Sequence, residues 1–171
     1  MRTLSYAEAT EGKTRVIGIQ RPGQDLLEMD FILIDFEGTL AQDRRVHPKA
    51  KDKINLLSKR MKIYLLTKGE KGMVEESLKK VKAEVIYLKE GEATQGKLNL
   101  LRQLGPKRTV AIGNGVDDAL ILDEAGLGIC ILGREGASAG AIQKADVVVT
   151  DILDALDFLL KPLRQKATLG G

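Results

Sequence analysis

A chain of 171 residues with 43% hydrophobic and 30% charged side chains has the size and composition of one soluble globular domain. The net charge of +3 is a small excess of interspersed signs, so neither nucleic acid nor a membrane surface is expected as a partner. No apolar stretch approaches the roughly 18 residues that cross a bilayer, and the N-terminus lacks the apolar core of a signal peptide. We therefore expect a cytoplasmic protein.

The N-terminal part of the chain is predicted to hold an arm and a hairpin. Residues 1–13 are polar and without pattern, which is typical of a flexible arm. The turn sequence Arg21-Pro22-Gly23-Gln24 lies between two short apolar segments, which predicts an antiparallel hairpin over residues 14–29. The core over residues 30–160 is expected to complete a single domain.

From residue 30 onward, short apolar runs alternate with segments of helical spacing. The predicted strands are Phe31–Asp35, Met61–Thr67, Glu84–Leu88, Thr109–Gly113, Leu127–Leu132 and Val147–Thr150. The predicted helices are Pro48–Arg60, Gly69–Val81, Thr94–Leu104, Val116–Ala125, Ala137–Lys144 and Asp151–Leu160, the last of them ended by Pro162. Wholly apolar strands separated by helices indicate right-handed βαβ units, and hence a three-layer Rossmann-like α/β fold with a parallel sheet between helices.

Polar side chains stand at the carboxyl ends of these strands, where such sheets bind their ligands. Asp35 and Thr67 end two strands, and Lys97 enters a helix nearby. An aspartate in this position can attack phosphorus and form an aspartyl-phosphate. A hydroxyl and an ammonium group would hold the phosphoryl oxygens and offset the repulsion between two anions. The pattern therefore predicts Asp35 as nucleophile, with Thr67 and Lys97 as its catalytic partners.

The neighbours of Asp35 and Thr67 suit the same chemistry. Glu37 is placed to protonate the leaving group and later to activate water. Gly38 lets the backbone bend and present N–H groups to phosphate. Lys68 is assigned as a further phosphate contact.

The turn after the fourth predicted strand, Gly113–Asp118, would supply oxygen ligands for Mg²⁺, which prefers carboxylate and amide oxygens. The metal ligands assigned here are Asp35, Glu37, Asn114 and Asp118. Asp117 and Asp118 also have a simpler role, because acidic residues stabilise the first turn of a helix.

Four sequence motifs occur in the order and spacing of a known superfamily. They are Asp35-Phe36-Glu37-Gly38-Thr39-Leu40, Leu65-Leu66-Thr67, Lys97 before an amphipathic helix, and Ala111–Leu120. Over residues 30–160 the chain resembles the haloacid-dehalogenase (HAD) superfamily, most closely the small soluble relatives of the P-type ATPase phosphorylation domain. The resemblance implies a Mg²⁺-dependent phosphatase whose nucleophile strand is central, between the strands that end at Thr67 and Gly113.

Three positions depart from the superfamily pattern. Glu37 stands where aspartate is usual, which keeps the acid but moves it by roughly 1.5 Å, and misplacement on that scale can cost about 10²-fold in rate. Asn114 replaces a metal-binding aspartate, so weaker Mg²⁺ binding is expected. Phe36 stands where P-type ATPases carry lysine, and no membrane-spanning stretch is present, so ion pumping is not expected.

No cap domain is predicted. Residues 40–60, between the first motif and the second strand, are taken up mostly by a helix, and residues 89–96 form a shorter gap still. The active site is therefore expected to be open, either for bulky substrates or for cover by a neighbouring copy in a homo-oligomer. A phosphorylated substrate, small molecule or macromolecule, is the expected partner.

Other site types are less consistent with the sequence. Cys130 lies in an apolar run, as a buried structural thiol does, and His47 has no Cys or His near it, so neither a zinc site nor a histidine-dependent triad is expected. Gly113-Asn114-Gly115 lacks the third glycine of a dinucleotide-binding turn. A response-regulator receiver would need a strand ending in an acidic pair before Asp35. The remaining alternative is a catalytically weak domain that binds a phosphorylated ligand or protein, which Glu37 and Asn114 favour.

Overall fold

The computed structural model describes residues 16–170, so the predicted arm over residues 1–13 lies outside the described residues. The strands in this range are β1 (Ile17–Ile19), β2 (Leu27–Met29), β3 (Phe31–Asp35), β4 (Ala41–Gln42), β5 (Arg45–Val46), β6 (Lys62–Thr67), β7 (Glu84–Tyr87), β8 (Thr109–Gly113), β9 (Leu127–Ile131) and β10 (Val147–Val149). The helices are α1 (Pro48–Leu57), α2 (Lys71–Ser77), α3 (Ala93–Leu104), α4 (Ala119–Glu124), α5 (Ala139–Lys144), α6 (Ile152–Leu160) and α7 (Pro162–Leu169). Two 3₁₀ turns cover Pro106–Arg108 and Val116–Asp118.

Six strands form one parallel sheet in the order β10-β9-β8-β3-β6-β7. Strand β3 lies between β6 and β8, with Asp35 opposite Leu66 and Ile34 opposite Ile112. The predicted parallel sheet and the central position of the Asp35 strand are therefore confirmed. The carboxyl ends of β3, β6 and β8 meet at one edge, which brings their terminal side chains together.

Alternation along β3 explains why the sheet is covered on both faces. All five residues of β3 are buried. Ile32 and Ile34 pack into one core with residues of α1 and α6, whereas Phe31 and Leu33 pack into a second core with residues of α3 and α4. Successive side chains of a strand point to opposite faces, and a fully buried Ile, Leu or Phe contributes about 1.5–3 kcal/mol. Because β3 packs against helices on both of its faces, it lies in the middle layer of a three-layer α/β/α arrangement.

Two antiparallel hairpins accompany the sheet. The predicted N-terminal hairpin is present as β1 and β2, with Ile17 opposite Met29. The second, β4 and β5, directly follows the first motif and was not predicted. Its turn residues Asp43 and Arg44 have φ of 49° and 62°, a left-handed conformation that aspartate accepts but arginine rarely adopts, so Asp-Arg is not a recognisable hairpin turn. This hairpin and α1 fill the segment between β3 and β6, and neither that segment nor residues 88–92 holds an inserted domain.

Helix α6 ends at Leu160, before Pro162, as predicted. Pro162 then starts a further helix, α7, which was not predicted, because the first helical turn accepts a residue without an N–H. Two other predicted helix limits are wrong. Helix α2 is shorter than predicted, and Lys80 just beyond it has φ of 67°, which a right-handed helix cannot include. The segment from Val116 to Ala125 divides into a 3₁₀ turn and α4.

Within residues 16–170, no helix combines the length and the apolar character needed to cross a membrane.

Gly128→Ala is expected to destabilise the fold. Gly128 lies in β9, and a Cβ there would overlap the backbone carbonyl of Leu122 in α4, which cannot move independently of its helix. Overpacking of this kind costs about 1–3 kcal/mol or more. Urea unfolding measures it, with Gly140→Ala in α5 as the control. Because Gly140 faces open space, its replacement should stabilise the helix by up to about 1 kcal/mol. Equal stability of the two variants would contradict the predicted overlap.

Candidate active site

A buried lysine joins two carboxylates at the carboxyl end of β3. Lys97 Nζ lies 2.6 Å from Asp35 Oδ1 and 2.7 Å from Asp118 Oδ1, and the side chains of Lys97 and Asp118 are each 2% exposed. Lys97 reaches this position because it lies on the buried face of α3, in line with Leu101 and Leu104. The three predicted residues are thus in direct contact.

Asp118 is held rigidly by the turn that follows β8. Its Oδ2 accepts the N–H groups of Asn114 and Gly115, both at 2.9 Å, while its Oδ1 accepts from Lys97. Gly113 makes this packing possible, because a Cβ at that position would overlap the Asp118 carboxylate. Both oxygens of Asp118 are therefore engaged in orienting the turn and the lysine.

Asp35 is an unusual carboxylate because it is buried beside another. Burial, followed by the charge of Asp118, raises the pKa of Asp35 to about 7, although Lys97 acts in the opposite direction. Burial disfavours the charge of Lys97, but Asp35 and Asp118 outweigh it and raise the pKa of the lysine. The two carboxylates therefore favour the cationic form of Lys97, whereas burial and Asp118 disfavour the charged form of Asp35. Only Oδ1 of Asp35 has a hydrogen bond within the described residues, and Asp35 lines an open cleft.

Glu37 is turned toward the end of β6. Its Oε1 accepts a hydrogen bond from Thr67 Oγ1, and its Oε2 accepts a long one, 3.4 Å, from the Lys68 N–H. The Gly69 N–H donates to Thr67 Oγ1 at 2.9 Å. The structure thus brings Glu37 and Thr67 together, with Glu37 bound to the hydroxyl that was assigned to the substrate.

Gly38 bends the chain after Asp35, with φ of 75°. Its N–H, predicted to face phosphate, donates instead to Ala41 O at 2.9 Å. A Cβ on Gly38 would lie 2.7 Å from Asn114 Nδ2, so this glycine permits close contact between two site loops. Asn114 itself is held there: its Oδ1 accepts from Thr39 Oγ1 and its Nδ2 donates to Gly136 O, each at 3.1 Å.

A second ion pair lies at the mouth of the site. Lys68 Nζ is 2.9 Å from Asp117 Oδ2, and Thr94 Oγ1 donates to Asp117 Oδ1 at 2.9 Å. Hydrogen bonds from Lys68 and then Thr94 lower the pKa of Asp117. Sequence reasoning assigned Lys68 to phosphate but missed Thr94 and this pairing, since the sequence does not show which of two adjacent acids faces which lysine.

These residues surround a cleft of about 240 Å³. Its lining comprises Asp35, Glu37, Lys68, Lys97, Asn114, Gly115, Val116, Asp117 and Asp118. When ionised, four carboxylates face two ammonium groups, which leaves an excess of two negative charges. An anionic phosphate group would be repelled unless a cation joined it.

The donor chemistry of the cleft fits a hard divalent cation. Asp35 Oδ2 is open, and the carbonyl of Asn114 keeps a second lone pair beyond its bond from Thr39. The side-chain oxygens of Glu37 and Asp118 already accept hydrogen bonds, so their use as metal ligands would require those bonds to break. Among residues 16–170, no group of three or more His, Cys, Asp or Glu side chains is arranged around a common metal position.

Solved structures with a similar fold include phosphatases and other hydrolases. One is 3-deoxy-D-manno-octulosonate 8-phosphate phosphatase of Moraxella catarrhalis, in complex with magnesium, phosphate and KDO, with a TM-score of 0.65 and 15% identity over 78% of this chain and 86% of that one. The cobalt-bound phosphatase YrbI of Haemophilus influenzae has a TM-score of 0.65 and 14% identity over 81% and 91%. A Streptomyces avermitilis protein assigned to the HAD family of hydrolases has a TM-score of 0.64 and 20% identity over 80% and 87%. The chain therefore has the fold of the haloacid-dehalogenase superfamily, as its motifs predicted.

Sequence comparison gives a nearer relative. The chain is 48% identical to the uncharacterized protein MJ0073 of Methanocaldococcus jannaschii over 84 residues, and the match covers 47% of this chain and 90% of that protein. This chain belongs to the same family as MJ0073. No protein-family model matches the sequence.

Proposed function

We propose that the chain is a phosphohydrolase that acts through an aspartyl-phosphate on Asp35. The observation that carries this proposal is the Lys97 ammonium between Asp35 and Asp118, which binds one oxygen of Asp35 and leaves Oδ2 without a hydrogen bond from the described residues. A carboxylate held in this way by a buried cation is oriented before the substrate arrives.

The proposed reaction has two steps. Asp35 Oδ2 attacks phosphorus, the bond from phosphorus to the leaving-group oxygen breaks, and Glu37 gives a proton to that oxygen. Glu37 then takes a proton from water, whose oxygen attacks phosphorus and releases phosphate and free Asp35. Mg²⁺, bound through Asp35 and Asn114, would neutralise charge on the phosphoryl oxygens. The phosphatases of similar fold, determined with magnesium or cobalt, support this choice of reaction and metal.

Hydrolysis of a generic aryl phosphate tests the proposal. We expect turnover with Mg²⁺, loss of it in a chelator, and none above background in Asp35→Asn. Turnover that is equal in Asp35→Asn would reject the mechanism. The finer assignment to soluble relatives of P-type ATPases, the cytoplasmic location and any covering homo-oligomer stay predictions.

Asn114→Asp is expected to tighten Mg²⁺ binding. The change adds a negative charge to the cleft that Asp35 also lines, and one unit of charge about 4 Å from a cation is worth ~4 kcal/mol at an effective dielectric of 20 before desolvation. A lower Mg²⁺ concentration for half-maximal turnover, by about tenfold or more, is the measurable result. Asp123→Asn on the exposed face of α4 serves as a control for altered net charge. An unchanged Mg²⁺ dependence would remove Asn114 from the metal site.

A further inference from the structure

The carboxylate of Glu37 occupies a small bay at the end of β6. We define the bay by three features: the Thr67 hydroxyl, the Lys68 N–H and the face of Gly69 that carries no side chain. Glu37 accepts hydrogen bonds from the first two. The third is needed because a Cβ on Gly69 would lie only 2.9 Å from Glu37 Oε1 and 3.1 Å from Thr67 Oγ1. The absence of a side chain at residue 69 therefore creates room for the carboxylate.

The same bay has the donors that a phosphoryl group needs. A hydroxyl has one proton and can donate to one acceptor at a time. The Gly69 N–H donates to Thr67 Oγ1, which leaves the hydroxyl proton directed at Glu37. A carboxylate presents two anionic oxygens, as does one edge of a phosphoryl group, so the two anions require the same donors. Glu37 and a phosphate cannot hold the Thr67 proton together.

We infer that Glu37 occupies the phosphoryl-oxygen site predicted at Thr67 and Lys68, and therefore competes with phosphate for it in the free protein. This inference rests on the proposed function and deepens it. Binding of the substrate phosphate displaces Glu37 from the bay. The displaced carboxylate stays in the cleft that Asp35 also lines, where it can serve as the general acid.

The length of the side chain at residue 37 decides the competition. Glutamate reaches the Thr67 hydroxyl, and an aspartate on the same backbone is one methylene shorter. When a binding site is unoccupied in only a fraction of the molecules, the apparent affinity equals the intrinsic affinity multiplied by that fraction. Glu37→Asp should therefore free the bay and strengthen phosphate binding. It should not slow turnover, because aspartate is the usual acid at this position in the superfamily.

Inorganic phosphate is the probe, titrated into the full chain by calorimetry in excess Mg²⁺. We expect Glu37→Asp to bind phosphate about tenfold more tightly than the wild type, the loss of one charge-assisted hydrogen bond to a competitor. Glu124→Asp is the matched control: Glu124 accepts hydrogen bonds from Arg102, outside the bay. Its affinity should stay within about twofold of the wild type. In the aryl phosphate assay, Glu37→Asp should lower KM without lowering kcat, whereas moving an acid that has no role in binding would change kcat alone.

A second pair of variants locates the effect. In a Thr67→Val background, Glu37→Asp should give no gain in phosphate affinity over Thr67→Val alone. In a Thr67→Ser background, which keeps the hydroxyl, the gain over Thr67→Ser alone should persist. Thermal unfolding establishes that each variant is folded. The inference fails if Glu37→Asp binds phosphate no more tightly than the wild type, or if the gain survives Thr67→Val. Binding requires no turnover, so an inactive Asp35 would reject the proposed reaction without affecting this result.

Discussion

Asp35→Asn is expected to reduce turnover by at least about 10³-fold, because loss of a nucleophile removes the covalent step and leaves only binding and electrostatic effects. The amide has nearly the shape of the carboxylate, and Lys97 keeps Asp118 as its partner. The fold should therefore persist. Single-turnover assays with an aryl phosphate measure the loss, and trapping of a phosphorylated chain in the wild type but not the variant assigns it to Asp35.

The difference in stability between Asp35→Asn and the wild type should depend on pH in a defined direction. The pKa of Asp35 is raised from 3.8 to about 7 in the folded protein, so the folded state holds a proton that the unfolded state has lost over this range. The wild type consequently loses stability as pH rises from about 4 to about 7, by at most a few kcal/mol at ~1.4 kcal/mol per pKa unit. Asparagine does not titrate, so Asp35→Asn should gain stability relative to the wild type across that window.

Urea unfolding in a chelator at pH 5 and pH 8 gives this comparison directly. The control is Asp123→Asn, an exposed acid paired with Lys144. Its stability difference from the wild type should change little between the two pH values. A constant difference for Asp35→Asn as well would show that the Asp35 carboxyl is not destabilised by burial and by Asp118.

The sequence was sufficient to predict which strand ends form the site. Parallel strands place their carboxyl ends along one edge, so Asp35 and Thr67 had to meet there once the strands were assigned. The burial of Lys97 was also predictable, because Lys97 lies on the apolar stripe of α3 with Leu101 and Leu104. A lysine on a buried helix face needs an anionic partner. Helical periodicity therefore distinguishes it from the exposed lysines of the chain.

The pairing of side chains within the site was not predictable in the same way. Glu37 follows Asp35 by two residues, but a positive φ at Gly38 and the hairpin after it decide where the loop directs each side chain. The hairpin itself depends on left-handed conformations at Asp43 and Arg44, which aspartate adopts occasionally and arginine rarely. Local propensity does not contain that information, because contacts between the loop and Glu135 stabilise the turn.

Lys97→Met is expected to produce the largest loss of stability in the site. Methionine fills a similar volume but leaves the buried carboxylates of Asp35 and Asp118 facing each other without a cation. Removing one partner from a buried ion pair costs about 3–5 kcal/mol, because the remaining charge stays out of water. Lys68→Met is the matched control: Lys68 pairs with Asp117 at a partly exposed position, where the expected cost is at most about 1 kcal/mol. Urea unfolding at pH 8 in a chelator measures both. If the two variants were equally stable, Lys97, Asp35 and Asp118 could not form a buried charge cluster.

Turnover should also fall in Lys97→Met even where the protein is folded, because Asp35 loses the contact that orients it. Addition of Asp118→Asn to Lys97→Met removes one of the two opposed charges, so the double variant should recover part of the stability and little of the turnover.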